Sequence, residues 1–437
     1  MKSKFSVLSL LLLFLVSIQT AFATEPAEIL ARKAVSGNTT ESTAAIEELR
    51  SLGPAGLNTL LARYGDEIQR HIDDPLLKPD AEWQRITRAL DTVSAQKNSY
   101  TSGLYWYTDL KDAQKAAKET GKPILSLRLL GKLTDELSCA NSRFFRTVLY
   151  SNAEVAAALR ERFVLHWQTV RPVPLITIDF GDGRKLERTI TGNSIHYVLD
   201  AAGQPIEALP GLYGPKAFLR SLADAEGLFK LLAGKNDYDR TVLQRNYARE
   251  HLIKISGQWY QETTRIGGFA PQGFIVSTGP NGEISAITVA PLAVTKMYTE
   301  AMALREMSSA SEALAKLTDE AKWRKIAQLH ADEGIIDTRS IALMKRQNPS
   351  LSDKEFSAML QKFQESIALD TVRNEYLMHT KLYSWLWFDP THTNLEKFND
   401  KVYAELFLTP GTDSWLGLLE KDVYFGIDNA GVVNQKR

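Results

Sequence analysis

The chain has 437 residues, of which 44% are hydrophobic and 24% are charged, and its 52 Lys and Arg residues balance its 52 Asp and Glu residues. These fractions are those of an ordinary globular protein. The balanced charge excludes a strongly basic chain that would attract nucleic acid or an anionic membrane through its overall field. Its single cysteine excludes an internal disulfide framework and a multi-cysteine zinc site, so stability has to come from buried apolar surface.

Residues 1–23 have the pattern of a cleaved secretory signal. Lys2 and Lys4 precede an apolar run, and the segment closes with the small side chains of Ala21-Phe22-Ala23. We therefore expect a periplasmic or secreted protein that has no membrane attachment once this signal is removed.

Residues 24–98 are predicted to form a helical N-terminal region. Apolar residues recur at helical spacing over 41–72, and Gly53-Pro54 interrupts the pattern. This arrangement predicts two helices that are joined by a Gly-Pro turn.

Residues 99–228 change to alternating helix and strand signals. The first predicted helix is capped by Thr108 and Asp109 and stops at Gly121-Lys122-Pro123, and a buried strand over 124–130 follows it. A helix capped by Asn152 and a strand over 163–170 come next. Two hairpins, which turn at Asp182-Gly183 and Ala202-Gly203, precede a closing helix. A strand, a helix, a parallel strand and an antiparallel hairpin predict an α/β sandwich around a mixed sheet.

Residues 235–437 are predicted to be a mostly helical C-terminal domain. Three long segments carry apolar stripes at helical spacing, and residues 256–291, which are rich in Gly and Pro, are predicted to be a loop or a small β excursion. The predicted fold class is therefore an α/β domain with flanking all-α N-terminal and C-terminal regions.

The α/β stretch resembles the thioredoxin-like fold of exported thiol oxidoreductases. In that family a helix, Gly-Lys-Pro and a buried strand precede a Cys-x-x-Cys motif that opens a helix. The matching positions in this chain are Gly121-Lys122-Pro123, the strand over 124–130, Cys139-Ala140-Asn141-Ser142, Tyr150, Val155 and Phe163-Val164. The resemblance covers about residues 100–225, and it implies a thioredoxin-like domain in which Cys139 is the nucleophile and Ser142 replaces the resolving cysteine.

A cysteine at the start of a helix has a physical reason to be reactive. Unpaired backbone N–H groups and the positive end of the helix dipole stabilise a thiolate, and Arg143 on the same helix face adds positive charge. Asp135 and Glu136, just upstream, act in the opposite direction. The candidate catalytic residues are therefore Cys139, Ser142 and Arg143.

The sequence departs from the family pattern at two functional positions. Ser142 cannot attack a mixed disulfide, so a Cys-x-x-Ser site is limited to monothiol exchange or isomerisation unless an outside thiol resolves the product. The family's cis-proline aligns with Ser194 or Ile195, where a trans peptide is expected because a non-proline cis bond costs about 3 kcal/mol.

Several other polar residues are candidate sites. Glu375 and His379 are four apart and could supply two metal ligands, but a pair on a helix surface is the commoner arrangement. The segment 330–333 is predicted to be a solvated helix end. His166 and His196 lie in predicted strands and would line one face if those strands were neighbours. Neither a metal nor a cofactor is predicted, since the sequence has no nucleophile elbow, phosphate loop or dinucleotide-binding turn.

Two function hypotheses follow from these patterns. The first is an exported monothiol exchange protein in which Cys139 attacks protein disulfides and Ser142 hydrogen-bonds to the sulfur. The second is a redox-inactive thioredoxin-like scaffold that binds a protein partner through its helical domain. In the second case Cys139 is a small buried apolar residue, which free cysteines often are.

Overall fold

The structure, a computed structural model, describes residues 26–189, 192–267, 314–388 and 394–415, together with residues 426, 429 and 432. The predicted signal segment and the part of the predicted loop beyond residue 267 lie outside these ranges. Within them the protein is a mixed α/β structure with helical regions on either side, as the sequence predicts at this level.

The N-terminal region consists of five helices, α1 (Ala27–Ala34), α2 (Thr39–Ser51), α3 (Pro54–Arg63), α4 (Gly65–Asp73) and α5 (Ala81–Ser94). Gly53 takes a positive φ of 66° between α2 and α3, and Pro54 occupies the first position of α3, where its missing N–H costs no hydrogen bond. The Gly-Pro turn predicted here is confirmed. The inward faces of these helices form one apolar core, to which Leu343 of the C-terminal region also contributes.

The central region contains a four-stranded sheet and the helices that cover it. Its strands are β1 (Ile124–Leu130), β2 (Val164–Arg171), β5 (Ser194–Leu199) and β6 (Pro205–Pro210), and its helices are α6 (Leu110–Thr120), α7 (Ala140–Phe144), α8 (Ala153–Arg162) and α9 (Pro215–Leu232). A π-helical turn (Phe145–Leu149) extends α7. Asp109 and Asn152 cap α6 and α8 through their side chains, as predicted, and Gly121 ends α6 in the left-handed conformation.

The strand order of the sheet is β2-β1-β5-β6. β1 and β2 run parallel, whereas β5 is antiparallel to β1 and to β6. The connection from β2 to β5 carries a separate two-stranded hairpin of β3 (Leu175–Asp179) and β4 (Lys185–Thr189). Both hairpins that the turn signals predict are therefore present.

The C-terminal region packs a set of helices against α9 and the β6 edge of the sheet. These helices are α10 (Asp237–Arg265), α11 (Glu320–Leu329), α12 (Thr338–Gln347), α13 (Asp353–Arg373), α14 (Thr380–Phe388) and α15 (Leu395–Lys401), with π-helical turns at Asn374–His379 and Val402–Leu406. The core that these helices share with the sheet is continuous.

The prediction of a loop from residue 256 is wrong for its first ten residues, which continue α10 to Arg265. The helix persists because Leu252, Ile255, Trp259 and Thr263 recur at helical spacing and are all buried. Gly257 is also buried, so its low helix propensity is outweighed by tertiary packing.

Candidate functional site

Cys139 lies where the chain leaves β1 and enters α7. It is the N-cap residue of that helix, and its Sγ accepts a hydrogen bond from the backbone N–H of Ser142 at 3.4 Å. The sulfur therefore occupies the capping position that serine or aspartate usually fills.

The thiol of Cys139 is inaccessible to solvent. The residue is 0% exposed and belongs to the continuous apolar core. Burial raises the pKa of the thiol and outweighs the backbone hydrogen bonds and the charge of Arg143, which lower it. The site therefore favours the neutral thiol, which is not the nucleophilic form.

Ser142 and Arg143 lie beside Cys139 without making the contacts expected of catalytic partners. The Ser142 Oγ is buried and has no hydrogen-bond partner among the described residues, so the contact to sulfur comes from the backbone amide and not from the predicted hydroxyl. Arg143 is half-buried, and its charge is the smallest of the influences on the thiol pKa.

The surroundings of the α7 start are covered by other parts of the chain. Asn141 donates from Nδ2 to the Ser194 Oγ at 2.8 Å, and Thr189 of β4 donates from Oγ1 to the Ser138 carbonyl at 3.0 Å. Tyr403 in the C-terminal region donates to the Asn193 carbonyl at 3.3 Å. Residues 193–194, where the resemblance places a substrate-docking proline, are thus already hydrogen-bonded to Asn141 and Tyr403. The peptides at Ser194 and Ile195 are trans, as predicted.

The two strand histidines do not line one face, and their strands are not neighbours, since β1 lies between β2 and β5. His166 pairs in register with Ser126 of β1, whereas His196 pairs with the next residue, Leu127, so the two imidazoles lie on opposite faces of the sheet. The Ser126 Oγ lies 2.8 Å from His166 Nδ1, and the Tyr150 hydroxyl lies 2.7 Å from His196 Nε2. Burial lowers the pKa of each imidazole to about 3, so both are neutral.

A second group of polar side chains surrounds a cavity of about 160 Å³ between the α/β part and the C-terminal helices. The residues that line it come from α9, α10, α14, the 3₁₀ turn Ala331–Gly334 and the π-helical turn that follows α13: Arg220, Ser221, Asp224, Tyr247, His251, Lys254, Ile255, Gln258, Glu333, Glu375, His379 and Tyr383. We call this cavity the α9–α10 cavity. No single segment of the sequence carries it.

One wall of the α9–α10 cavity is an ion-paired cluster around Arg220. Its guanidinium donates to Glu333 Oε1 at 2.7 Å and to Glu375 Oε2 at 3.2 Å. Burial raises the pKa of Glu375, although the positive charge of Arg220 acts to lower it. Burial acts on Glu333 in the same direction, but the hydrogen bonds from His330 and Arg220 outweigh it and lower its pKa. The two carboxyls that share one guanidinium thus differ in proton affinity, as acid–base pairs in enzyme sites often do.

Behind this wall, Glu207 on the edge strand β6 is a buried carboxylate, 2% exposed. It accepts hydrogen bonds from the Tyr383 hydroxyl at 2.9 Å and the Ala208 amide at 2.8 Å, and His379 Nε2 lies 3.4 Å away. Burial raises its pKa, but the hydrogen bond and charge of His379 outweigh burial, so the pKa of Glu207 is lowered. A buried anion with this many partners holds the C-terminal helices on the sheet.

His251 forms the other side of the cavity. Its Nδ1 lies 3.0 Å from the Tyr247 carbonyl, to which it donates, and its Nε2 lies 3.6 Å from Asp224 Oδ2. Burial lowers the pKa of His251, but the interactions with Asp224 and the charge of Glu207 outweigh it and raise the pKa. The ring also lies against Tyr247, with 3.9 Å between the ring centroids.

Two sequence predictions about this cavity are wrong. The segment 330–333 is not a solvated helix end as a whole, because His330 and Glu333 are buried, although Ala331 and Asp332 are exposed. Burial lowers the pKa of His330, but its hydrogen bonds to Glu262 and Glu333 raise it to about 10. Glu375 and His379 are not a surface pair either, since His379 is buried and Glu375, on the same π-helical turn, is half-buried.

Little in the sequence indicates the α9–α10 cavity. The four-residue spacing of Glu375 and His379 was the only local signal, and it indicated a shared helix face but not the partners from α9 and β6. In the described ranges, no three His, Cys, Asp or Glu side chains are arranged to hold a metal ion. No helix in those ranges has the length and apolar character that crossing a membrane requires.

Comparison with known proteins found no match among protein-family models, curated proteins or solved structures.

Proposed function

We propose that this protein is a redox-inactive thioredoxin-like scaffold that acts through binding and not through thiol exchange. The observation that carries the proposal is the complete burial of Cys139. This burial also raises the pKa of its thiol. Thiol–disulfide exchange requires an accessible sulfur and a useful fraction of thiolate, and the folded chain provides neither.

The thioredoxin-like part of the proposal is supported by the order of elements. A strand that leads to a cysteine-capped helix, a parallel strand beside the first, and an antiparallel hairpin on its other side are what the resemblance implies. Segment 105–107 adds a parallel bridge between Tyr107 and His166 at the β2 edge.

The binding part is supported by the β3–β4 hairpin. Ile176, Ile178 and Phe180 alternate along the chain and therefore share one face, and they are 40%, 46% and 54% exposed. An isolated two-stranded hairpin is only marginally stable in water, and large exposed apolar patches usually mark interaction surfaces. We expect this hairpin to contribute to contacts with a protein partner.

The experiment treats the folded chain with glutathione disulfide and follows the intact mass. The scaffold predicts no mixed disulfide at Cys139 over hours near neutral pH, and a full adduct when the same sample is unfolded in guanidinium chloride. A Cys139→Ala variant is the control for adducts at other sites. An adduct that forms on the folded wild-type chain and is absent from this variant would instead support monothiol exchange.

A further inference from the structure

We propose that the β3–β4 hairpin binds a second copy of this chain through the edge of β4, so that two hairpins join into one four-stranded antiparallel sheet. This inference rests on the binding part of the proposed function, because it names the partner of the hairpin. Three observations support it: the isolation of the hairpin, the open edge of β4 and the order of charges along that strand.

The strands of the hairpin belong to none of the apolar cores in the described part of the chain, and no residue of β3 or β4 packs against one. All five residues of β3 are exposed. At the base of the hairpin, Thr189 donates a hydrogen bond to the Ser138 carbonyl. Two strands alone are only marginally stable in water, whereas three or more strands with an apolar face form a stable sheet. Strands from a second molecule would complete such a sheet.

The backbone groups of Lys185 and Glu187 lie on the open edge of β4. The Phe180 N–H donates to the Arg184 carbonyl at 3.1 Å, so these two residues form a hydrogen-bonded pair of the hairpin. Hydrogen-bonded and non-hydrogen-bonded pairs alternate along an antiparallel ladder, so the N–H and C=O groups of Lys185 and Glu187 point away from β3. The Glu187 carbonyl accepts a hydrogen bond from Arg188 Nη1 at 3.0 Å. An open strand edge of this kind can pair with another strand.

The charges along β4 are complementary to a second, antiparallel copy of the same strand. A two-fold axis at Leu186 places Lys185 of each copy opposite Glu187 of the other, and Leu186 opposite Leu186. Glu187 is exposed and has no ion-pair partner among the described residues. Lys185 Nζ lies 3.3 Å from the Asp179 carboxylate, so in the pair it would lie between two carboxylates. Opposite charges that face each other across two strands stabilise the pair.

The remaining charges of the hairpin are compatible with this register. Arg188 comes opposite Arg184 of the other copy, but Arg184 is already neutralised by Asp182, whose Oδ2 lies 2.9 Å from Nε and 2.7 Å from Nη2. The edge of β3 offers no comparable complementarity, because its one ionisable residue is Asp179, which already pairs with β4. The order of charges therefore favours the β4 edge.

The first test is sedimentation velocity of the whole chain from about 1 µM to about 200 µM, at about 0.15 M salt. We expect a monomer–dimer equilibrium with a Kd in the micromolar range. A monomer at every concentration would overturn the inference and leave a different protein as the partner of the hairpin. Such a monomer that still resists glutathione disulfide would overturn this inference alone, whereas an adduct at Cys139 of a dimeric chain would overturn the proposed function alone.

Charge-reversal variants test the register. Lys185→Glu brings acidic residues opposite each other and Glu187→Lys brings basic residues opposite each other, so each variant alone should dimerise at least about ten-fold more weakly than wild type. An equimolar mixture of the two variants has opposite charges at both positions again, and it should dimerise at least about ten-fold more tightly than either variant alone. Lys230→Glu on α9 makes the same charge change away from the hairpin and should dimerise like wild type. Single variants that dimerise normally, or a mixture that does not recover, would contradict the proposed pairing.

Cross-linking locates the two-fold axis. In a Cys139→Ala background, Leu186→Cys puts two thiols at a non-hydrogen-bonded antiparallel pair, whose Cα atoms are about 4.5 Å apart, within the range for a disulfide. Thr177→Cys is the matched control: Thr177 pairs in register with Glu187 but lies on β3, so its two copies would be separated by three strand spacings, about 14 Å or more. Mild oxidation should give a covalent dimer of the Leu186 variant and none of the Thr177 variant. Equal cross-linking of the two variants, or none of either, would contradict the proposal.

Discussion

The Cys139 site and the α9–α10 cavity differ in almost every physical property that catalysis or binding depends on. The first has one potentially reactive atom, which is fully buried in an apolar core and kept as a neutral thiol. The second brings together carboxylates, histidines and a guanidinium whose pKa values are shifted in both directions. Perturbed titratable groups around a cavity mark functional sites more reliably than one buried cysteine does.

The two sites also differ in how far their residues are spread along the sequence. Cys139 stands within one short motif, so a linear pattern draws attention to it. The cavity residues are far apart in the chain, with 155 positions between Arg220 and Glu375, which are hydrogen-bonded to each other, so their association appears only in three dimensions. Cys139 is conspicuous in the sequence but buried in the fold, whereas the polar residues of the cavity are brought together only by the fold.

The largest expected effect comes from removing the buried anion behind the cavity. Glu207→Ala leaves Tyr383, His379 and the Ala208 amide without their acceptor, and breaking a buried ionic network by removing one partner typically costs about 3–5 kcal/mol. Urea unfolding measures the change. Glu226→Ala, which breaks surface ion pairs of α9 with Arg162 and Lys230, is the control and should cost less than about 1 kcal/mol. Equal losses of unfolding free energy in the two variants would show that the Glu207 network stabilises the fold no more than a surface ion pair does.

The neutral histidines in the sheet predict acid sensitivity. The pKa of each is about 3 in the folded chain, against 6.5 when unfolded, so below pH 6.5 the unfolded chain binds protons that the folded chain does not. Stability should therefore fall as the pH drops from 6.5 towards 3, and each histidine should account for about 2 kcal/mol between pH 7 and pH 5.

The measurement compares urea unfolding of wild type and His196→Asn at both pH values. The variant should lose about 2 kcal/mol less than wild type on acidification. His251 and His330, whose pKa values are raised, act in the opposite direction and cancel in this comparison. An identical acid response in the two proteins would contradict a neutral His196.

Removing the thiol should have a smaller effect. Cys139→Ala deletes one buried sulfur and its hydrogen bond at the helix cap, for which we expect a loss of about 1 kcal/mol. Any binding measured for the wild-type chain should be retained at equal affinity. Loss of function without loss of stability would instead give Cys139 a chemical role.

The smallest expected effect concerns Ser142. Its hydroxyl is buried with no partner among the described residues, so Ser142→Ala removes an unsatisfied group without leaving another behind. Thermal unfolding should show a stability equal to wild type or higher by up to about 1 kcal/mol. A clear destabilisation would indicate that the hydroxyl has a partner that matters.

The elements of the central region were predictable because local signals define them. Asp109 and Asn152 are capping side chains, Gly121 supplies the left-handed end of α6, and the two hairpin turns carry glycine. The continuation of α10 past residue 256 was not predictable in this way. Its glycine suggested a loop, and only packing of Trp259 against the C-terminal helices overrides that preference.

The candidate sites were predictable to different degrees. The position of Cys139 at a helix start follows from sequence spacing, but its burial in the continuous core depends on packing between residues that are far apart in the chain. For the α9–α10 cavity, neither the inward turn of Glu375 nor the ion pair of Arg220 with Glu333 has a local sequence signal. Long-range packing decides both.

The measurement that tests the central claim most directly is the rate at which iodoacetamide alkylates Cys139 as a function of urea concentration. If the thiol is buried and structural, alkylation of the native chain is very slow and its rate rises in parallel with the unfolded fraction. Rapid and complete alkylation without urea, at pH values well below the ordinary thiol pKa of about 8.5, would contradict the account.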